Sequence, residues 1–172
     1  MARLPSTVCI YSQIEPKSEY LRFFTFDPAG AKGTELLAGK IKKADYNWSL
    51  SPDGKYLVNP KSENPCEAPV LRIFNLDEDT EQYIPVPGIG LMMGLDWAAD
   101  SKSVWVVGYM GMGRGAWGTR SGVLNVALSG RATMVLEGLS PAIWFAIPSP
   151  DGRRLSLCEL TERSNMWLLE NF

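Results

Sequence analysis

Hydrophobic and polar residues alternate in short runs along the whole chain. The runs are rich in Val, Ile, Leu, Phe, Tyr and Trp, and glycine, proline and aspartate separate them. Alternation with a period of two, broken by turn residues, predicts β-strands that are buried on one face and joined by turns. The sequence therefore predicts an all-β protein.

One strand–turn–strand pattern occurs three times. The turn Ser-Pro-Asp-Gly stands at residues 51–54 and again at 149–152, while the middle copy keeps only the aspartate. The turn residues Asp53, Asp100 and Asp151 are 47 and then 51 residues apart. Proline fixes φ early in such a turn, and glycine accepts the position where a side chain would crowd the reversal. A period near fifty residues is typical of the blades of a β-propeller.

A second marker repeats with the same period. Phe24, Phe74 and Leu124 are 50 residues apart, each inside a strand-like run. Around them each unit can hold four strands, named A to D from the inside outward. The predicted fold is a β-propeller of about four antiparallel four-stranded blades, with incomplete first and last blades. Fourteen strands are predicted in a single domain, 1–172, with blade one at 7–39, blade two at 46–88, blade three at 93–138 and blade four at 143–172.

Three tryptophans precede the turn aspartates by odd numbers of residues. Trp48, Trp97 and Trp144 lie five, three and seven positions before their aspartates. Side chains an even number of positions apart share a strand face. We therefore expect all three rings to project from one face and to fill the gaps between adjacent sheets.

The amino-acid composition excludes several common kinds of catalytic and metal site. The chain has no histidine, which removes Ser-His-Asp and Cys-His hydrolase sites and imidazole-containing zinc sites. With 17 basic and 19 acidic residues, no strong field favours nucleic acid or anionic membranes. We predict no enzyme activity, catalytic residue, metal or cofactor, no nucleic-acid partner and no membrane insertion by this chain.

The positions of the cysteines and the first residues of the chain predict which thiols are buried and whether the chain carries a secretion signal. Cys9 and Cys158 lie in strand-like runs and are expected to be buried, whereas Cys66 lies in a proline-rich loop and is expected to be exposed. The start of the chain lacks the apolar stretch of a secretion signal. We expect a soluble protein whose compartment the sequence leaves unknown, and which is extracytoplasmic if it is part of a receptor kinase.

The best candidate for partner binding is a glycine-rich connection between strands B and C of blade three. No Lys-Ser/Thr pair follows it and the next segment reads as a strand, so it is not a phosphate-binding loop. It carries residue types that are enriched at interface centres, namely Tyr109, Met110, Met112, Arg114, Trp117 and Arg120. In the alternative, Trp117 and the methionines fold back onto neighbouring blades.

The long connections of the repeat are expected to share one rim. D–A and B–C connections open on one face of a propeller, and the long segments 40–45, 59–69 and 109–120 are of these two kinds. We expect this face to bind a protein or a small ligand, because long loops on a rigid scaffold commonly carry binding residues.

The Ser-Pro-Asp-Gly turn between aromatic and aliphatic strands resembles the TolB-like β-propeller repeat, a relative of the WD-repeat blade, over residues 7–172. The ending at 164–172 resembles the C-terminus of propellers attached to bacterial serine/threonine kinases and winged-helix regulators. The resemblance implies the sensor or docking part of a larger bacterial signalling protein. No kinase Gly-rich loop or Asp-Phe-Gly motif is present, so kinase chemistry does not extend to this chain.

The predicted function is a non-catalytic propeller scaffold for protein or ligand recognition. The alternative is the substrate-gating propeller of a serine peptidase or other hydrolase whose catalytic part lies elsewhere. Blade one lacks a predicted A strand and blade four a predicted D strand, and exposed strand edges favour association. Self-association through these open edges is therefore also expected.

Overall fold

The computed structural model describes residues 9–14, 17, 19–26, 32–42, 47–61, 69–111, 120–139 and 143–159. These residues form thirteen β-strands and no helix. Blade one holds β1 (Cys9–Ile14), β2 (Tyr20–Phe26) and β3 (Lys32–Lys42), and blade two holds β4 (Ser49–Leu50), β5 (Tyr56–Lys61), β6 (Val70–Asn75) and β7 (Thr80–Pro85). Blade three holds β8 (Ile89–Trp97), β9 (Ser103–Met110), β10 (Ser121–Ala127) and β11 (Ala132–Leu139), and blade four holds β12 (Ile143–Pro148) and β13 (Leu155–Glu159).

Each blade is one antiparallel sheet whose strands follow chain order. The four sheets have three, four, four and two strands in the described part of the chain. The all-β, sheet-by-sheet organisation expected from the repeat is confirmed. The fourteenth predicted strand, at 165–169, lies outside the described residues.

The repeated turns have the geometry that their sequence dictates. In blade two the Ser51 hydroxyl donates to Asp53 Oδ1 at 2.6 Å, and the same carboxyl oxygen accepts the backbone N–H of Lys55 at 3.2 Å. Gly54 follows with φ of 77° and donates its N–H to the Ser51 carbonyl at 2.9 Å. Positive φ is the conformation for which glycine is suited. Each turn therefore closes on its own hydrogen bonds and fixes the register of strands A and B.

Blade three reaches the same turn without the glycine. Ser101 occupies the corresponding position with φ of 59°. Its side chain compensates, because the Ser101 hydroxyl accepts the backbone N–H of Asp53 in blade two at 3.2 Å. The turns of neighbouring blades are thereby joined by a hydrogen bond.

The hydrophobic core lies between the sheets. Each strand turns alternate residues toward the preceding blade, on what we call its leading face, and toward the following blade, on its trailing face. Blades one and two share one cluster of buried residues, blades two and three the largest, and blades three and four a third. Since a single two-faced sheet has no interior of its own, each blade depends on its neighbours for burial.

Two of the three tryptophans fill inter-blade gaps as expected. Trp97 is fully buried, and its ring lies 5.8 Å from that of Tyr56 in blade two. Trp48 lies edge-on to Phe23 of blade one at 5.1 Å, and its indole N–H donates to the Ser12 hydroxyl at 3.2 Å. Both rings sit on the leading face of their blade.

Trp144 and Cys158 differ from expectation. A β-bulge between Ile143 and Phe145 displaces Trp144 from the alternation, and its side chain is 37% exposed. Cys158 is exposed and lies directly opposite Phe145 on β13, a strand in which every residue after Leu155 is exposed. Cys9 is buried as expected, and Cys66 lies outside the described residues.

Candidate recognition cleft

The inner strands β4, β8 and β12 lie side by side and line a cleft. A Cβ atom on Gly94 of β8 would stand only 2.2 Å from the Trp144 carbonyl oxygen of β12. On the other side of β8, the Asn47 side-chain amide donates to the Met93 carbonyl at 3.2 Å. The close approach at Gly94 brings the start of blade four against blade three and forms one wall of the cleft.

Two adjoining cavities follow these strands. The first, which we call the turn-side cavity, has a volume of about 280 Å³ and is lined by residues 47–50, 52, 95–97 and 145–147. The second, the rim cavity, has a volume of about 390 Å³ and is lined by Asn47, Pro60, Leu91, Met92, Met93, Trp144 and Phe145. Asn47 and Phe145 border both cavities, so together they form one cleft, which we call the inner cleft.

Polar groups in the turn-side cavity join blades two and three. The Ser49 hydroxyl donates to Asp96 Oδ1 at 2.8 Å, and the backbone N–H of Trp97 donates to the same oxygen at 2.9 Å. The Trp97 indole N–H donates to the Ser49 carbonyl at 3.1 Å. These bonds satisfy polar atoms at the blade junction and hold the wall of the cavity in place.

The rim cavity is mainly apolar and partly open. Trp144 and Phe145 leave 37% and 41% of their surfaces exposed and are adjacent in the lining, so they form a contiguous apolar patch of the kind found at binding surfaces. Met92 and Met93 lie opposite, and methionine side chains adapt to differently shaped apolar groups. The arrangement suits an apolar side chain of a bound segment.

The residues predicted in the glycine-rich connection are placed only in part. Tyr109 and Met110 end β9 and Arg120 precedes β10, whereas Met112, Arg114 and Trp117 lie outside the described residues. None of the three described residues lines the inner cleft.

Their surroundings differ from one another. Met110 packs against the core that blades two and three share. Arg120 is exposed and pairs with Glu137 at 3.1 Å. Tyr109 lies opposite Leu91 in the β8–β9 ladder, one strand away from the rim cavity.

Sequence reasoning missed the inner cleft. The signal was present as two apolar groups, residues 91–93 just before the predicted A strand of blade three and residues 144–145 at the start of the predicted A strand of blade four. It was hidden because apolar residues at strand starts are equally typical of a buried core. Only the spatial approach of β8 and β12 shows that these groups face the same opening.

Among the described residues, the lining of the cleft holds neither a metal-ligating cluster nor an acid–base pair. Asp96 is the carboxylate in its lining, and no group of three or more metal-ligating side chains occurs in the described part of the chain. No helix that could cross a membrane is found among those residues either.

Comparison with known proteins shows the fold. No protein-family model and no curated protein matches the chain. A prolyl endopeptidase structure is similar with a TM-score of 0.63 and 18% identity, over 88% of this chain and 24% of that one. TolB from Acinetobacter baumannii is similar with a TM-score of 0.58 and 16% identity, over 92% and 36%. An acylaminoacyl peptidase structure follows with a TM-score of 0.54 and 12% identity, over 90% and 27%.

These likenesses are of fold only, because the identities are low. They show that the chain has a β-propeller fold, which agrees with the fold predicted from the turn repeat. The chain spans about a quarter to a third of the length of these similar structures.

Proposed function

We propose that this chain is a non-catalytic recognition scaffold that binds an apolar segment of a protein in its inner cleft. The observation that carries the proposal is the rim cavity, where Trp144 and Phe145 stand partly exposed opposite flexible methionines. Ligand sites are typically concave and mostly apolar, with a few polar groups that orient the ligand. Asn47 supplies such a group where the two cavities meet.

The chemistry of the cleft supports binding over catalysis. Asp96 already accepts hydrogen bonds from Ser49 and from the Trp97 backbone, and the chain has no histidine to serve as a base. A general base must be able to take a proton from a bound group, and a carboxylate engaged in a structural junction is poorly placed for that.

Peptide titration tests the proposal. The probes are synthetic peptides with one Trp, Phe or Leu in a Gly-Ser background, and the readout is isothermal titration calorimetry. Trp144→Ala is expected to weaken binding of the best peptide by about tenfold or more, because loss of an aromatic anchor costs more than 1.4 kcal/mol. Val135→Ala is the matched control, since Val135 is 52% exposed and lies outside both cavities. Equal affinities for the two variants, or no binding by any peptide, would overturn the proposal.

We further propose that the scaffold is a sensor or docking part of a larger bacterial signalling protein. Support comes from the resemblance of residues 164–172 to the ends of kinase-linked and regulator-linked propellers, a segment outside the described residues. The gene that encodes this chain is expected to carry a kinase or winged-helix domain upstream, and its reading frame provides the check. A frame with no such domain would count against this part of the proposal.

A second function is favoured by the structural likenesses. Prolyl endopeptidase and acylaminoacyl peptidase share the fold, and a gating propeller of a hydrolase would have its catalytic part outside this chain. Peptidase activity of the complete gene product, measured with chromogenic peptide substrates, would favour this function over the scaffold. A complete product that binds peptides without cleaving them would favour the scaffold.

A further inference from the structure

One position of the inner strand differs in chemistry from blade to blade. Ser49, Asp96 and Ile147, in blades two, three and four, each lie four residues before the aspartate of their own turn. All three side chains line the turn-side cavity, so the blades supply a hydroxyl, a carboxylate and an apolar group to one cavity. Because blades two and four form the same turn without a charge at this position, the carboxylate of Asp96 is a feature of the cavity and not of the repeat.

The Asp96 carboxylate is fixed in its orientation. Its Oδ1 atom accepts the Ser49 hydroxyl at 2.8 Å and the backbone N–H of Trp97 at 2.9 Å. Both donors are neutral, so these bonds orient the carboxylate without cancelling its negative charge. Asp96 is partly buried, and water screens such a charge less than one on an open surface. A carboxylate that is already oriented loses little freedom when it binds a cation.

The charge of the cleft lining favours a positively charged ligand. Among the described residues that line the two cavities, Asp96 is acidic and none is a lysine or an arginine. A carboxylate in a concave site attracts a cationic group and repels an anionic one. Charge complementarity therefore adds a requirement that the apolar rim cavity does not impose.

The apolar residues around the carboxylate favour a cation on a long side chain. Leu50, Pro52 and Leu95 line the same cavity as Asp96. Lysine and arginine side chains carry their charge at the end of an apolar stem, and the stem packs on apolar surface while the charged end keeps a polar partner. Either side chain matches this combination of lining residues better than a small ammonium ion does.

The two cavities are continuous, because Asn47 and Phe145 border both of them. A segment that places an apolar side chain in the rim cavity therefore brings a neighbouring residue to the turn-side cavity. We propose that the protein segment recognised by the inner cleft carries a lysine or an arginine close to its apolar residue, and that Asp96 binds the charged end of this side chain. The inference rests on the proposed function, because it assigns the second half of the same binding site.

Calorimetric titration with peptides that differ only in charge tests the inference. The probes share one aromatic residue in a Gly-Ser background, have blocked termini, and carry Lys, Arg, Gln or Glu one to three positions from the aromatic residue. At the best spacing the Lys or Arg peptide is expected to bind the wild-type chain about fivefold more tightly than the Gln peptide, which is the size of one partly exposed ion pair. The Glu peptide is expected to bind more weakly than the Gln peptide. High salt should reduce the preference for Lys or Arg.

Asp96→Asn removes the charge and keeps a side-chain oxygen that can accept the same two hydrogen bonds. This variant is expected to lose the preference for Lys over Gln and to bind the Gln peptide as the wild-type chain does, which also shows that its cleft is folded. Asp100→Asn is the matched control, because it removes the same charge from an exposed turn residue that lines neither cavity. It is expected to keep the full preference.

The outcomes separate this inference from the proposed function. Peptides that bind equally well whatever their charge would overturn the role of Asp96 and leave the recognition scaffold standing. A preference for Lys that persists in Asp96→Asn, or that Asp100→Asn also abolishes, would assign the preference to the net charge of the chain and would overturn the role of Asp96 as well. No binding by any peptide would overturn both proposals. If Asp96→Asn does not fold, Asp96→Ser, which introduces the residue type of blade two at this position, takes its place in the same comparison.

Discussion

Substitution of Trp97 tests how much an aromatic ring buried between two blades contributes to the free energy of unfolding. Trp97 is fully buried between blades two and three, its ring meets Tyr56, and its indole N–H bonds to the Ser49 carbonyl. Trp97→Ala is expected to lower the free energy of unfolding by about 3–5 kcal/mol, the range for removing a buried aromatic side chain. Trp97→Phe keeps most of the ring but loses the hydrogen bond and some volume, and about 2 kcal/mol is expected.

Urea unfolding followed by far-UV circular dichroism measures both values. Trp144→Ala is the comparison variant, because Trp144 is 37% exposed and buries less apolar surface than Trp97, so a smaller loss of about 1–2 kcal/mol in the free energy of unfolding is expected. Equal losses for Trp97→Ala and Trp144→Ala would refute the reasoning, since they would mean that burial between blades does not determine the cost.

Three further predictions concern close approach, turn strain and acid stability. Gly94→Ala should lower the free energy of unfolding by about 1–3 kcal/mol, because the new Cβ would meet the Trp144 carbonyl oxygen, and thermal unfolding provides the check. Ser101→Ala should lower the free energy of unfolding by about 1 kcal/mol, because the hydrogen bond between the blades is lost. Ser101→Gly loses the same bond but relieves the positive φ, so its free energy of unfolding should be nearly unchanged. Equal destabilisation by the two variants would contradict this. The hydrogen bond from the Ser149 hydroxyl lowers the pKa of Asp151 below its usual 3.8. The stability that the ionised Asp151 carboxylate contributes is therefore complete above the usual pKa of the unfolded chain, and it is lost as the pH falls through the lowered pKa of the folded chain. Asp151→Asn should therefore lose less stability than wild type as the pH falls below about 4 in acid unfolding, and identical acid curves would contradict this.

The fold could be predicted from the sequence because turn residues recur between the end of one strand and the start of the next in each repeat. The turn at residues 51–54 reads as a turn from local chemistry alone, and its bonds in the structure join residues at most five apart. The burial of Trp97 also followed, since strand parity sets its face. The position of Trp144 could not be predicted in this way, because a β-bulge interrupts the alternation of the two strand faces. Neither Ile143 nor Phe145 is a residue type that predicts a bulge.

The inner cleft could not be predicted from the sequence, because it is formed by strands that are far apart along the chain. Its walls meet because Gly94 admits the backbone of β12, and a lone glycine in a strand has several readings. The spacing of Phe24 and Phe74 was visible in the sequence, but it did not show that Phe74 is fully buried and Phe24 only partly buried. Long-range packing decides such differences.

Hydrogen exchange of the tryptophan indole N–H groups, resolved by NMR, tests most directly whether neighbouring blades supply one another's interior. The Trp97 indole N–H bonds across a blade junction and has no solvent exposure, so it should exchange only on opening of that junction and rank among the slowest indole protons. The Trp144 indole, in a partly exposed side chain, should exchange rapidly. A Trp97 proton that exchanges as fast as that of Trp144 would contradict the shared-core account.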